Sequence, residues 1–184
     1  PTEEWHSTYV DYIHEHKIII NTDFGVICDK VGSGKSFVVL GLILMDKFIK
    51  TNIVFPFKMY NSNNLQAVIE NNNYLPINLL FVPHTIYNQW KNYITKYANL
   101  KLYCLKTKRD YKDNPFFYTD YDLVLIPPSK HLQVQELFGS FILSRVIYDE
   151  VDTLKITNCY KINSAFHWYV SSSVENLLHP NGIW

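Results

Sequence analysis

From residue 24 onward the chain is built of apolar runs four or five residues long, set apart by stretches whose apolar positions recur at helical spacing. The runs are Phe24 to Cys28, Leu79 to Val82, Lys101 to Leu105, Asp122 to Ile126, Arg145 to Asp149 and His167 to Ser171. Short, almost uninterrupted apolar runs predict strands covered on both faces, as in a parallel sheet. Their alternation with helical patterns, such as Phe37 to Phe48, predicts an α/β fold with a mostly parallel central sheet and helices on both faces. Upstream, Trp5, Tyr9, Tyr12 and Ile13 predict a short amphipathic helix over Pro1 to His16, packed beside the first strand. Residues 51–78 are rich in asparagine, a turn former, and predict an inserted loop with a short helix at Leu65 to Glu70. Lys106 to Asp120 is a second polar, loop-like stretch, and no internal repeat is evident.

The first candidate chemistry lies between the first strand and the first helix, at Val31-Gly32-Ser33-Gly34-Lys35-Ser36. Glycines let the backbone close around phosphate oxygens, and the helix N-terminus adds partial positive charge. Lys35 can reach β/γ-phosphates and the Ser36 hydroxyl can hold Mg²⁺. The general phosphate-loop pattern has a glycine where this chain has Asp29, so the hexapeptide alone also reads as a glycine-rich turn entering a buried helix.

The second is the strand Arg145-Val146-Ile147-Tyr148, which runs into Asp149-Glu150-Val151-Asp152. Acids at a strand end sit over the carboxyl edge of a parallel sheet, where ligands bind and where the phosphate loop opens. There Asp149 can hold Mg²⁺ through water while Glu150 orients the attacking water. A solvated acidic turn is the plain alternative, and it weakens once the glycine loop is placed on the same edge. A nucleoside triphosphate is the ligand that suits both.

Composition narrows the setting. The 184 residues suit one domain, and Lys plus Arg equals Asp plus Glu at 17 each. No overall field draws the chain to a polyanion, so nucleic acid contacts must be local. Cys28, Cys104 and Cys159 are odd in number and far apart, which fits a reducing compartment and gives no zinc or disulfide framework. His14 and His16 fall on different faces of a helix, and no structural metal is assigned. Without a spanning run or a signal-like N-terminus, the expectation is a soluble, intracellular protein, cytoplasmic or nuclear, with no membrane partner. The start at Pro1 and the stop at Trp184 suggest a fragment of a longer protein.

Taken in order, the motifs resemble the first RecA-like domain of superfamily 2 helicases and translocases, most of all the Swi/Snf-like branch. The loop Asp29-Lys30-Val31-Gly32-Ser33-Gly34-Lys35-Ser36 has that branch's Asp-x-x-Gly-x-Gly-Lys-Ser form, and Asp149 to Asp152 resembles motif II. Leu80-Phe81-Val82-Pro83 followed by Gln89-Trp90 is similar to motif Ia, Tyr121 to Lys130 more loosely to motif Ib, and Trp168 to Ser173 to motif III. The departures are Lys30 where the branch often has Glu, Ser173 in place of Thr, and no glutamine before Gln66 to read adenine.

The resemblance implies ATP with Mg²⁺ as cofactors, with Lys35, Asp149 and Glu150 in catalysis. It also implies a link from Asp152 to Ser171 or Ser173 that reports phosphate state. Pro83, His84, Thr85, Ser129 and Lys130 would meet a phosphodiester backbone. Trp90 reads as a core-packing aromatic rather than a base-stacking one. Partners implied are a nucleic acid, DNA in preference to RNA, and a second RecA-like domain in cis or on another protein. The only arginines, Arg109 and Arg145, match no finger motif, so the isolated domain should hydrolyse weakly; losing such a finger forfeits roughly 10³ to 10⁵ in rate. An alternative is a helicase-like scaffold module in a transcription or remodelling complex that does not unwind. The Asn, Ile, Lys and Tyr richness also resembles that of helicase-like proteins of large DNA viruses, which would place the protein in a virion or viral factory. A nucleotide kinase or a GTPase is a third reading, disfavoured because no Asn-Lys-x-Asp motif is present.

Overall fold

The computed structural model describes residues 22–48, 73–156, 161–173 and 175, with the backbone alone at 53–56 and 66–69. The expected helix over residues 1–16 lies outside them. The strands are β1 (Phe24–Cys28), β2 (Ile53–Pro56), β3 (Gln66–Ile69), β4 (Tyr74–Phe81), β5 (Leu102–Cys104), β6 (Leu123–Ile126), β7 (Ile142–Tyr148) and β8 (Ser164–Ser171). The helices are α1 (Lys35–Met45), α2 (Tyr87–Tyr97) and α3 (His131–Phe138). Six strands form one sheet in the order β1-β8-β7-β4-β6-β5, and every pairing is parallel.

Residues alternate between two cores because successive side chains of a strand point to opposite faces. On one face Leu79, Phe81, Val124, Ile126, Val146 and Tyr148 pack with Val134 and Phe138 of α3. On the other, Leu80, Leu123, Leu125, Ile147 and Val170 pack with Val39, Leu40 and Ile43 of α1 and with Tyr87, Trp90 and Ile94 of α2. Both faces are buried, which is why β6 reads as an unbroken Leu-Val-Leu-Ile. This is a RecA-like α/β sandwich. None of the helices among the described residues is long and apolar enough to cross a membrane.

Three differences from the sequence reading have physical causes. The short helix expected at residues 65–70 is instead strand β3, paired antiparallel with β2 in a separate two-stranded sheet. Val68 and Ile69 face Val54 and Ile53 in register, and β-branched residues prefer the pleated backbone. β4 begins at Tyr74, well before the expected Leu79, because Asn78 is a strand residue and not a loop marker. Its buried amide donates to the carbonyls of Lys47 at 2.7 Å and Asp122 at 2.9 Å. Pro76, which has no N–H for the ladder, falls where the β4/β7 register shifts between Leu75 and Asn78. Residues 106–120 carry two 3-10 segments, Lys108–Asp110 and Pro115–Asp120, and the second sinks Tyr118 fully into the core.

At the amino end of the sheet Arg145 is buried and donates to the Lys47 carbonyl at 3.1 Å and to Asn78 Oδ1 at 3.2 Å. The Lys47 ammonium meets Asp122 Oδ2 at 2.9 Å. This network ties the chain leaving α1 to β4, β6 and β7. At the carboxyl end, Phe81, Tyr148 and Tyr169 stack across three neighbouring strands, with centroid spacings of 5.1 Å and 5.7 Å and ring planes 13° and 9° apart. The residue after Tyr148 is Asp149, so the ladder stiffens the strand end that carries the acids.

Candidate nucleotide site

β1 ends at Cys28, and the chain turns at once into the glycine loop. Asp29 caps that turn with its own side chain, Oδ1 accepting the Lys30 amide at 2.7 Å, and the Ser33 amide donates to the Lys30 carbonyl at 3.2 Å. Gly32 and Gly34 have φ of 83° and 90°, in the left-handed region that an L side chain rarely adopts. No atom lies within 4 Å of a Cβ built at either glycine, so backbone conformation and not crowding calls for glycine.

Gly34 is the N-cap of α1, and no side chain caps the helix there. The Phe37 amide donates to the Gly34 carbonyl at 2.9 Å, and the Lys35 and Ser36 amides before it are left for an anion, helped by the helix dipole. The Lys35 ammonium folds over the loop, donating to the carbonyls of Asp29 at 2.6 Å and Lys30 at 2.9 Å. Val31 and Ser33 are exposed, so the cradle opens to solvent.

On the same edge, β7 delivers Asp149. Its amide donates to the Phe81 carbonyl at 2.9 Å, which extends the pairing with β4. The side chain is buried, and its Oδ2 accepts a hydrogen bond from the Trp90 indole N–H at 2.6 Å. Burial pushes the Asp149 carboxyl up to about 6, and the neighbouring Glu150 pushes the same way. The Trp90 donor and the positive charge of Lys35 oppose the rise.

Glu150 has a φ of 51°, the only positive φ outside glycine among the described residues. Its carbonyl accepts the Thr153 amide at 2.9 Å and the Leu154 amide at 3.1 Å, so β7 stops in a tight turn. The turn carries Asp152 toward β8, where its Oδ1 accepts the Ser171 hydroxyl at 2.8 Å. Ser171 Oγ in turn accepts the Ser173 amide at 3.0 Å. Ser171 also pairs in register with Cys28, and its carbonyl takes the Asp29 amide at 3.4 Å. One residue thus touches both the root of the glycine loop and the acidic turn.

The structure therefore brings together Asp29 to Ser36, Asp149, Glu150, Asp152, Ser171 and Ser173. Pro83, His84, Thr85, Ser129 and Lys130 sit in the loops after β4 and β6, further along the same edge, with His84, Thr85 and Ser129 exposed. Sequence reasoning assigned Trp90 only a packing role and missed Ser172, whose hydroxyl reaches Glu150 Oε2 at 3.4 Å. Ser172 lies inside the motif III run and could have been included with its neighbours.

Donor chemistry fits a magnesium nucleotide: uncapped amides and an ammonium for phosphate, with the Ser36 hydroxyl and the Asp149 carboxylate as hard oxygen ligands. Among the described residues no cluster of three or more His, Cys, Asp or Glu forms a metal cage.

A parallel sheet with a glycine loop after its first strand and acids after β7 defines a RecA-like phosphate-loop protein. A family model of the SNF2-related domain matches residues 16–173, and the chain belongs to that family. It is 29% identical over 125 residues to the protein named "Putative helicase R592" of Acanthamoeba polyphaga mimivirus. The match covers 64% of this chain but 13% of that viral protein, so the chain spans about an eighth of its relative's length.

Proposed function

We propose that the chain is the ATP-binding domain of a nucleic-acid-dependent ATPase, a helicase or duplex translocase, and that it works with a second RecA-like domain in cis or on a partner. The observation that carries this reading is the meeting of the glycine loop, the Asp149/Glu150 pair and the Ser171–Asp152 hydrogen bond on one edge of the sheet. Membership of the SNF2-related family and the likeness to a viral protein named as a helicase support it.

In this mechanism the α1 amides and Lys35 bind the phosphates, and Lys35 exchanges its loop carbonyls for β/γ oxygens. Ser36 and Asp149 would hold magnesium, which would supply positive charge against the phosphate oxygens. Glu150 orients the attacking water and accepts its proton. Asp152 and Ser171 carry the state of the acidic turn to β8 and the root of the loop. The loops holding Pro83 to Thr85 and Ser129 with Lys130 face a phosphodiester backbone, DNA by preference, and read no base sequence.

Lys35→Ala and Glu150→Gln in the full-length protein should each abolish nucleic-acid-stimulated ATP hydrolysis, with nucleotide binding lost in the first and kept in the second. Stimulated turnover surviving both substitutions refutes the reading. Hydrolysis without strand displacement or translocation on any duplex would instead favour a scaffold within a larger assembly.

A further inference from the structure

Trp90 is fully buried on the first turns of α2, 59 residues away in sequence from the acid it touches. An indole N–H is a donor only. It can hold a carboxylate oxygen but can neither take a proton from it nor compete for a cation. At 2.6 Å from Oδ2, in a site where Asp149 is 5% exposed, it fixes the carboxylate plane. Rotation of that side chain would break a charge-assisted hydrogen bond away from water, and the Glu150 amide, the other donor to this carboxylate, belongs to the next residue and offers no substitute for the indole.

The donor itself is held from several sides. Trp90 packs in the core formed with Leu80, Leu125 and Ile147 of the neighbouring strands, and its backbone amide donates to the Ile86 carbonyl at 3.0 Å. A side chain needed only to fill this core could be any large apolar residue. Tryptophan adds one thing, a donor aimed at the acid.

We propose that Trp90 is a positioning residue for the metal site: its indole N–H holds Asp149 Oδ2 and so presents Oδ1 to magnesium or its bound water. The proposal rests on the nucleotide reading above and adds a residue to it. Outer partners of metal ligands typically change metal affinity by about 10- to 100-fold when removed, and that is the expected effect here.

The test uses the full-length protein with a slowly hydrolysed ATP analogue and Mn²⁺ in place of Mg²⁺, free Mn²⁺ being read by electron paramagnetic resonance. Trp90→Phe removes the donor. Replacement of Trp90 by β-(3-benzothienyl)alanine removes the donor and keeps the ring shape, so a folding defect in the first variant does not decide the matter. Both should bind Mn²⁺ about 10- to 100-fold more weakly, with the loss falling on the metal KM of hydrolysis more than on kcat. In an Asp149→Asn background the same replacements should add nothing, because they act through that carboxylate. Affinity within twofold of wild type for the isosteric variant, or an undiminished additional loss in the Asp149→Asn background, overturns the proposal. If the wild-type protein takes up no Mn²⁺ with nucleotide, the nucleotide reading falls and this inference falls with it.

Discussion

Asp149→Asn should make the protein more stable while removing its hydrolytic chemistry, and the gain should depend on pH in one direction. Burial raises the Asp149 carboxyl from an ordinary 3.8 to about 6. With both states protonated, below about pH 3, the carboxyl contributes nothing to the folding balance. Between about pH 4 and 6 the unfolded chain ionises first and the native state binds more protons, so stability falls as pH rises. Above pH 6 the loss is constant. The rise to about 6 corresponds to about 3 kcal/mol at one pH unit per 1.36 kcal/mol. Asparagine stays neutral, and its amide oxygen can still accept from Trp90. The variant should therefore gain up to about 3 kcal/mol at pH 8, roughly 6 to 12 °C in Tm for a domain of this size, and no more than about 0.5 kcal/mol at pH 4. Urea and thermal unfolding of both proteins at the two pH values, in chelator and without nucleotide, give the comparison. Equal stabilities at pH 8, or a gain that is the same at pH 4, would show that the acid is not held against a desolvation penalty.

Other substitutions probe other parts of the edge and the sheet. A Cβ at Gly25 would lie 2.4 Å from Cζ3 of Trp168, the residue paired with it on β8, so Gly25→Ala should cost about 1 to 3 kcal/mol in urea unfolding; an unchanged midpoint would mean the ring is free to move. Ser171→Ala removes the hydroxyl shared by Asp152 and Ser173 and should leave ATP affinity in place while nucleic acid stimulation of hydrolysis falls roughly 5- to 150-fold; equal loss of both would assign Ser171 to binding. Arg145→Ala leaves Asn78 Oδ1 without its buried donor and removes one of the two donors to the Lys47 carbonyl, and should cost roughly 1 to 3 kcal/mol, read as a lower urea midpoint. Glu150→Asn puts a residue that tolerates the left-handed region at φ 51° and should raise Tm while abolishing turnover, and a lower Tm would mean that Glu150 stabilises its own turn.

The legible parts of the chain were those in which one local rule acted alone. β6 could be read because both faces are covered and the apolar run is unbroken, and the loop at Gly32 and Gly34 because only glycine suits its backbone. Rules in conflict hid the rest. Asn78 reads as a turn former, yet its buried amide donates to two carbonyls, of Lys47 and Asp122, and so belongs inside the strand. Residues 66–69 sit among asparagines that favour loops, while the β-branched pairing across to residues 53–56 sets their conformation. No local pattern could show that the Trp90 indole meets Asp149, because that contact depends on how α2 packs beside β5 and β6 and joins residues 59 apart in sequence.

Two unfavourable features fall on adjacent residues at the end of β7, a desolvated carboxyl at Asp149 and a left-handed backbone at Glu150. A left-handed non-glycine residue costs about 1 to 2 kcal/mol, and the buried acid adds about 3 kcal/mol at neutral pH. Neither persists in a marginally stable fold unless the neighbouring structure holds it in place. Here the holding groups can be named. Before the pair, Tyr148 is stacked between Phe81 and Tyr169. After it, the Val151 amide donates to the Val170 carbonyl at 3.0 Å. A solvated acidic turn would need none of this, since relaxing the backbone and exposing Asp149 would remove both penalties. Fixing the two residues from both sides is what a site must do if one acid is to meet a cation in a set orientation while the next faces water.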